Sequence, residues 1–353
     1  MSAGQLLAYC RSGFERECAQ ELTALAAEMG VEGFVKARPE SGFALFHAHQ
    51  EAMGAKLAKH LEFKRLVFPR QLVRAGELLA SLPEADRVSP IAEAARALGS
   101  RFAALWIEMP DTNDGKALSA LTRPLALHLE KALKSAGVAF QDAAARERLH
   151  VFFVGGRAAY VGVSEIGNSA SWPMGIARLR LPRGAPSRSV LKLMEAFRVF
   201  FEEKDLARRL VPGMSAVDLG ASPGGWTWQL VQMGFMVSAV DNGNIDPALL
   251  DTGQVKHRRE DGFRFRPAQS VDWMVCDMVE SPARIARLAA QWLAEGWCRE
   301  AIFNLKLPMK KRFEEVRRCM DLIDAALGGG GYFLRIKHLY HDREEVTAYL
   351  ARR

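Results

Sequence analysis

The fold is decided by a glycine-rich stretch in the second half of the chain, residues 217–226, with the sequence VDLGASPGGW. An apolar run at residues 216–219 predicts a β-strand, and the glycines join this strand to a helix. Glycines at such a junction permit a tight turn, and the helix N-terminus supplies free backbone N–H donors. The stretch therefore predicts a ligand-binding loop in an α/β domain.

Outward from this loop, strands and helices alternate. Further apolar, β-rich runs lie at residues 236–240, 271–276 and 301–305, with helical segments between them. This alternation predicts a mostly parallel sheet covered on both faces. Residues 332–340 and 346–350, separated by a polar turn, predict a final hairpin that adds an antiparallel strand. We expect a Rossmann-like domain over residues 189–353.

The loop and two acidic residues together indicate the class of cofactor. The spacing matches neither the dinucleotide fingerprint Gly-x-Gly-x-x-Gly nor the triphosphate loop Gly-x-x-x-x-Gly-Lys-Ser/Thr. Asp241 ends the second strand, where a carboxylate can accept hydrogen bonds from a ribose diol. Asp261 lies in the next loop and could accept from an adenine amino group. Several carboxylates without a phosphate-binding lysine favour a cationic sulfonium cofactor, S-adenosylmethionine.

Four more charged residues indicate a reaction centre. Asp277 directly follows the strand predicted at residues 271–276 and Lys306 follows that at residues 301–305, so both should reach the crevice at the carboxyl ends of the strands. Lys192 lies on a helix just before the cofactor loop, and Glu345 opens the last strand. Each residue alone could be a surface charge, and the set could be a salt-bridge network. Their placement at strand ends favours a catalytic set.

These motifs resemble those of a known family. Lys192, Asp277, Lys306 and Glu345 resemble the Lys-Asp-Lys-Glu tetrad of the FtsJ-like ribose 2′-O-methyltransferases, and the glycine loop resembles that family's cofactor motif. Over essentially the whole chain, the resemblance is greater to members that methylate large-subunit ribosomal RNA. The stretches that carry it are residues 185–189, 240–243, 250–255, 273–280, 304–311 and 339–347.

The resemblance implies a donor, an acceptor and a set of site residues. The donor is S-adenosylmethionine, and the acceptor is one cytidine 2′-hydroxyl in the peptidyl-transferase region of bacterial 23S rRNA, free or in a large-subunit precursor. Lys306 is implied as the proton acceptor, supported by Lys192, Asp277 and Glu345. The implied cofactor residues are Ser189, Ser222, Pro223, Gly224, Gly225, Asp241, Asp261 and Asp277.

Two details depart from a simple match to the family. Ser222 stands where some relatives have cysteine, which is harmless if the backbone makes the contact. Glu344 and Glu345 are adjacent, and the residue directly before the valine is the better match, so we assign Glu345 to the tetrad.

The role of Lys306 has two interpretations. A lysine can accept a proton only when neutral, and its reference pKa of about 10.4 opposes that. Lys192 and burial would lower the pKa of Lys306, whereas Asp277 and Glu345 would raise it. Lys306 therefore either acts as a base or orients the hydroxyl and stabilises the developing alkoxide.

The first half of the chain contains small α+β units and no cluster that suggests catalysis. Apolar runs predict strands at residues 6–10, 33–35, 42–47 and 105–109 and a hairpin formed by residues 150–154 and 158–163, and helical spacing predicts helices at residues 14–29, 89–98 and 118–136. The resemblance implies a ferredoxin-like subdomain over residues 1–85 and a THUMP-type RNA-binding domain over residues 86–165. Residues 166–188 are rich in Gly, Pro and Ser and predict a linker. From residue 166 to residue 194 there is no acidic residue, which favours contact with an RNA backbone. The basic residues there are Arg178, Arg180, Arg183, Arg188 and Lys192.

Charge and composition indicate which binding partners and which cellular compartment to expect for this protein. The net charge is +7, and residues 166–353 carry 28 lysines and arginines against 22 acidic residues, which fits a polyanionic partner. No apolar run approaches the roughly 20 residues that span a bilayer. The start of the chain lacks signal-peptide features, and five scattered cysteines predict reduced thiols. We expect a cytoplasmic monomer without membrane association or a bound metal.

Two alternatives remain at this point. One is an RNA-binding protein with a degenerate methyltransferase-like fold, against which the intact loop and tetrad speak. The other is a base-modifying RNA methyltransferase. A cytosine-C5 enzyme needs a catalytic cysteine in its own motif, whereas Cys276 has the pattern of a strand residue, and the Asn/Asp-Pro-Pro-aromatic signature of amino methyltransferases is absent.

Overall fold

A computed structural model describes residues 4–353 of the chain. They form two compact units, one extending to Ile176 and the other running from Ala177 to Arg353. Each unit is built around its own seven-stranded sheet. The two sheets confirm the predicted combination of a Rossmann-like domain with a preceding α+β region, but the preceding region is not smaller, because the two units are nearly equal in length.

The first unit begins with a βαββαβ arrangement in which neighbouring strands are antiparallel in the order β2-β3-β1-β4. This order is that of a ferredoxin-like fold. The sequence predicted the first three strands and α1 but neither α2 nor β4. The elements are β1 (Gln5–Tyr9), α1 (Glu15–Glu28), β2 (Gly33–Ala37), β3 (Phe43–Ala48), α2 (Glu51–His60) and β4 (Gln71–Ala75).

The rest of the first unit continues the same sheet. β4 pairs with β7, β7 forms the predicted hairpin with β6, and β5 lies parallel to β6 at the edge. The regions 1–85 and 86–165 therefore share one sheet. The elements are α3 (Val88–Leu98), β5 (Leu105–Glu108), α4 (Asn113–Ala117), α5 (Ser119–Ser135), β6 (Glu147–Gly155) and β7 (Ala158–Glu165).

The segment predicted as a linker, residues 166–188, differs from that expectation in its first part. Residues 166–176 belong to the first unit, and one short 3-10 turn, Pro173–Gly175, interrupts the irregular backbone. Asn168 accepts a hydrogen bond from the Phe63 N–H at 2.8 Å and donates to the Leu61 carbonyl at 3.0 Å. These bonds, with burial of Met174 and Ile176, fix the segment to the first unit. A Gly-, Pro- and Ser-rich composition does not reveal such contacts.

The second unit has the strand order β10-β9-β8-β11-β12-β14-β13. β8 to β12 are parallel, and β14 and β13 form the predicted antiparallel hairpin. The strands are β8 (Ser215–Leu219), β9 (Met236–Val240), β10 (Val255–Arg258), β11 (Val271–Cys276), β12 (Cys298–Lys306), β13 (Tyr332–Lys337) and β14 (Glu345–Arg352). The helices are α6 (Val190–Phe200), α7 (Glu203–Arg209), α8 (Gly225–Gln232), α9 (Pro247–Leu250), α10 (Pro282–Ala294) and α11 (Arg312–Leu327).

This topology determines where a site can form. The chain order reverses between β8 and β11, and ligands of open α/β sheets bind at such a switch point, beyond the carboxyl ends of the strands. The loops that follow β8, β9, β10, β11 and β12 all leave from that edge. They carry the glycine loop, Asp241, Asp261 and Asp277, and β12 ends there at Lys306.

Candidate active site

The glycine loop between β8 and α8 lies so close to neighbouring chain segments that three of its glycines, Gly220, Gly224 and Gly225, leave no room for a side chain. A Cβ at Gly225 would lie 2.2 Å from the Ser189 hydroxyl oxygen, and one at Gly220 would lie 2.6 Å from the Met278 Cγ. Gly220 also has a φ of +78°, which favours glycine. The Trp226 indole N–H donates to the Ser189 carbonyl at 3.0 Å. Ser189 is thereby held beside the loop.

Asp241 links the glycine loop to the loop that follows β9. Its Oδ2 accepts from the Ser222 N–H at 3.0 Å and its Oδ1 accepts from the Gly243 N–H at 2.7 Å. Each carboxylate oxygen has a further lone pair, so the fixed carboxylate can still accept from two hydroxyls of a diol. Asp261 follows the neighbouring strand β10, is exposed, and accepts from the Phe263 N–H at 2.8 Å.

The four tetrad side chains meet in a ring of alternating charge. The Lys306 Nζ lies 2.6 Å from the Asp277 Oδ1 and also donates to the Glu345 Oε2. The Lys192 Nζ lies 2.5 Å from the Glu345 Oε1 and 3.2 Å from the Asp277 Oδ2. Each lysine therefore contacts both carboxylates.

The backbone explains why these residues meet. Asp277 directly follows β11, and Lys306 pairs with Glu345 across β12 and β14. Lys192 comes from α6, which is fastened to the turn before β14 through Glu195. The Glu195 carboxylate accepts from the backbone N–H groups of residues 340 and 341 at 2.8 and 3.0 Å.

The structure brings Glu345, and not Glu344, to the cluster. The Glu345 side chain is 7% exposed and contacts both lysines. The Glu344 side chain is 52% exposed and pairs with Arg312 at 2.5 Å. Glu344 precedes β14, whereas Glu345 is its first residue and lies opposite Lys306 in the pairing with β12, which separates the two carboxylates.

The charges of the ring set the protonation of Lys306. Burial lowers the pKa of its ammonium group, but the charges of Asp277 and Glu345 outweigh burial, and the net shift of the pKa is upward. Burial likewise raises the pKa of Asp277, and the charges of Lys192 and Lys306 outweigh it, so that pKa is lowered. In this arrangement Lys306 is a cation and a hydrogen-bond donor.

Asn304 belongs to the cluster and was missed by the sequence analysis. Its fully buried amide donates to the Asp277 Oδ1 at 2.9 Å and lies 3.4 Å from the Glu345 Oε2. Asn304 lies two residues before Lys306 on β12, and residues at that spacing face the same side of a sheet. That spacing was the available signal.

Asp218 lies in the glycine-rich stretch, at residues 217–226, and no sequence pattern predicted a role for it. Its Oδ2 accepts from the Thr227 hydroxyl at 2.7 Å, whereas its Oδ1 has no hydrogen-bond partner within residues 4–353. Burial, together with the charges of Asp277 and Asp241, raises the pKa of Asp218 to about 7, although the Thr227 bond opposes the shift. An unsatisfied buried oxygen under the glycine loop fits a bound donor or cation.

Neither a cysteine nucleophile nor a metal-binding cluster occurs within residues 4–353. The five cysteines are free and buried, and burial raises the pKa of the Cys276 thiol to about 12, so it is not a thiolate nucleophile. Across residues 4–353, no three His, Cys, Asp or Glu side chains are grouped so as to hold a metal ion. Within the same range, no helix is both long and apolar enough to cross a membrane.

Three family models match consecutive regions of the chain. They are the RlmM ferredoxin-like domain over residues 3–73, the N-terminal region of ribosomal RNA large subunit methyltransferase M over residues 86–165, and the FtsJ-like methyltransferase over residues 185–337. A protein of Methylococcus capsulatus named ribosomal RNA large subunit methyltransferase M is 51% identical over 352 residues, covering 99% of this chain and 98% of that one. The chain belongs to the ribosomal RNA large subunit methyltransferase M family.

Other members of this family are similar over their full length. The relative from Serratia proteamaculans is 50% identical, with 99% of this chain and 96% of that one covered. The relative from Cellvibrio japonicus is 50% identical, with 98% and 99% covered. Among solved structures, TrmN from Thermus thermophilus covers 99% of both chains at 18% identity and a TM-score of 0.37.

Proposed function

We propose that this chain transfers a methyl group from S-adenosylmethionine to the ribose 2′-oxygen of a cytidine in the peptidyl-transferase region of bacterial 23S rRNA. The observation that carries the proposal is the placement of Lys306 between Asp277 and Glu345, at the strand edge that also bears the glycine loop. The relatives are named for large-subunit ribosomal RNA. A buried, protonated Cys276 disfavours cytosine-C5 methylation.

The residues at the strand edge fit S-adenosylmethionine. Ser189 and loop residues 222–225 would contact the cofactor. Asp241 would accept hydrogen bonds from its ribose hydroxyls, and Asp261 would accept one from its adenine amino group. Asp277 and the unpaired oxygen of Asp218 would stabilise the positive charge of the sulfonium. When bound, the cofactor supplies a methyl group on a sulfonium, which the ribose oxygen can attack.

The lysines would act on the acceptor hydroxyl. Lys306 is held as a cation, so it suits donating a hydrogen bond to the 2′-oxygen and stabilising negative charge as it develops there. Lys192 would add a second positive charge, and Asp277 and Glu345 would fix the direction of both ammonium groups. Alignment of the 2′-oxygen with the methyl group would further increase the rate of transfer. The 2′-proton passes to solvent water as the oxygen bonds to the methyl group and the carbon–sulfur bond breaks, so partial negative charge develops on the oxygen.

Binding of rRNA is proposed for two parts of the chain. Arg178, Arg180, Arg183 and Arg188 are exposed along the segment before α6, where they can neutralise phosphates. The THUMP-type region over residues 86–165, after a ferredoxin-like subdomain at residues 1–85, is proposed to recognise RNA structure. We also propose that the enzyme is a monomer and works in the cytoplasm, where ribosomal RNA is modified.

The cofactor assignment predicts a specific loss of affinity. Asp241→Ala should remove the acceptor for the ribose hydroxyls and weaken S-adenosylmethionine binding by roughly 1–3 kcal/mol, measured by calorimetry. Asp251→Ala, which removes an exposed aspartate of the same unit, should bind normally. Unchanged affinity of a folded Asp241→Ala protein would remove Asp241 from the cofactor site.

The phosphate-contact assignment predicts a change in salt dependence. Replacing Arg178, Arg180 and Arg183 with glutamine should weaken binding to 23S rRNA and reduce the slope of log affinity against log salt by about 2, at roughly 0.7 per lost contact. Calorimetric affinity for S-adenosylmethionine should not change. A control that changes exposed Lys204, Arg208 and Arg299 removes equal charge elsewhere in the unit. Equal slopes for the two triple variants would argue against phosphate contacts by Arg178, Arg180 and Arg183.

The function itself is tested by mapping the methyl group. The full-length protein is incubated with unmodified 23S rRNA and labelled S-adenosylmethionine, and nucleosides are analysed by mass spectrometry. We expect one 2′-O-methylcytidine, absent from rRNA of cells that lack this protein. A methyl group on a base would indicate a base methyltransferase. RNA binding without cofactor binding or methyl transfer would indicate an RNA-binding protein.

A further inference from the structure

A buried polar chain leads away from the tetrad into the sheet. Asn304 and Thr347 pair across β12 and β14, two residues from the pair formed by Lys306 and Glu345. The Asn304 Oδ1 lies 2.9 Å from the Thr347 hydroxyl, which lies 3.1 and 3.0 Å from the two carboxylate oxygens of Asp342. Asn304, Thr347 and Asp342 are fully buried.

The orientation of the Asn304 amide follows from its neighbours. Its nitrogen faces the Asp277 Oδ1 at 2.9 Å and the Glu345 Oε2 at 3.4 Å. The reversed amide would place an oxygen against two carboxylate oxygens, an arrangement of acceptors without a proton. The amide oxygen therefore faces Thr347 and must accept the single proton of that hydroxyl.

Because the Thr347 hydroxyl donates its only proton to Asn304, it has no proton to donate to Asp342. A hydroxyl that donates to Asn304 can only accept from Asp342, which requires a proton on the Asp342 carboxyl group. The Asp342 Oδ2 accepts from the Leu339 N–H at 3.0 Å, so the donated proton is placed on Oδ1. We propose that protonated Asp342 donates to Thr347, that Thr347 donates to Asn304, and that this chain orients the amide that positions Asp277 and Glu345.

The electrostatic surroundings support a neutral Asp342. Burial raises the pKa of Asp342 well above its usual value, and the negative charges of Glu345 and Glu195 raise it further. The Leu339 N–H and the charge of Lys192 oppose this shift without cancelling it. A carboxylic acid kept neutral by its surroundings can serve as a hydrogen-bond donor.

The hydrogen-bonded series of Asp342, Thr347 and Asn304 would affect the reaction by positioning the side chains of the tetrad. The Asp277 Oδ1 and the Glu345 Oε2, which accept from Asn304, are also the atoms that accept from Lys306. Asn304 thus holds the two carboxylates that orient the Lys306 ammonium group. Asn304, Thr347 and Asp342 are positioning residues, and their expected effect on turnover rests on the proposed function.

Conservative and disruptive variants of the full-length protein distinguish a positioning role in catalysis from a purely structural role. Thr347→Ser and Asp342→Asn keep a donor at each step, because an asparagine can donate to Thr347 and accept from Leu339. Both should retain turnover within about twofold in single-turnover methyl transfer to rRNA. Thr347→Val removes the donor at nearly constant volume and should lower turnover roughly tenfold, the size of one lost hydrogen bond, with unchanged affinity for S-adenosylmethionine.

Two results would overturn the proposal. One is a Thr347→Val enzyme with turnover within twofold of wild type, and the other is an Asp342→Asn enzyme as impaired as Asp342→Ala. Infrared difference spectra of wild type against Asp342→Asn give a readout independent of activity. A protonated-carboxyl band at pH 8 is expected, and its absence also overturns the proposal. If wild type does not methylate rRNA, the proposed function fails while the infrared result still tests the protonated chain.

Discussion

Replacing Lys306 with alanine is expected to slow single-turnover methyl transfer to rRNA by about 10²–10⁴-fold, the range typical of a lost proton-transfer or charge-stabilising group. The affinities for S-adenosylmethionine and rRNA, measured separately, should stay near those of wild type, because the interaction with developing charge exists mainly in the transition state. Arginine should not rescue, since its donors have a different geometry.

Matched variants make the Lys306 experiment specific. Lys306→Met removes the charge but keeps most of the side-chain length, and it should be as slow as Lys306→Ala. Lys310→Ala removes an exposed lysine four residues further along and should retain full turnover. Lys192→Ala should also be slow, and the double variant should be little worse than Lys306→Ala, because both lysines share the same two carboxylates. Near-normal turnover of Lys306→Ala would exclude the tetrad as the reaction centre.

Asp218→Asn is expected to make the protein more stable at alkaline pH relative to wild type. The pKa of Asp218 is about 7 in the folded protein, and an aspartate in an unfolded chain has a pKa of about 3.9. The folded state therefore binds the extra proton, and this group's contribution to stability falls as pH rises from about 4 to about 7. The full difference corresponds to about 4 kcal/mol, on the basis of 1.36 kcal/mol per pKa unit.

The measurement is the free energy of unfolding in urea at pH 4.5, 6 and 8 for both proteins. Subtracting wild type from Asp218→Asn cancels the contributions of all other titrating groups. The difference should grow with pH and become constant above the folded pKa of Asp218. Asp251→Asn, at an exposed position of the same unit, should show a flat difference. A flat difference for Asp218→Asn would mean that Asp218 is ionised in the folded protein.

Much of the second unit could be predicted from local sequence. The apolar runs of β8, β9, β11 and β12 predicted a parallel sheet, because strands buried on both faces consist of nearly continuous apolar residues. The strand β10 was not predicted, since its sequence Val-Lys-His-Arg lies at the sheet edge and lacks such a run. The elements α2 and β4 of the first unit were missed as well.

The sequence by itself determined the glycine loop, the acidic residues at the strand ends and the lysines that belong with them. These follow from chain order, because the carboxyl ends of parallel strands meet at one edge. The family match already assigned Glu345 rather than Glu344 to the tetrad, and only the tertiary structure showed that the Glu345 side chain contacts both lysines. It also placed Asn304 against both carboxylates and buried Asp218 with an unpaired oxygen. Such contacts depend on register between strands distant in sequence and on exclusion of water, which no local pattern records.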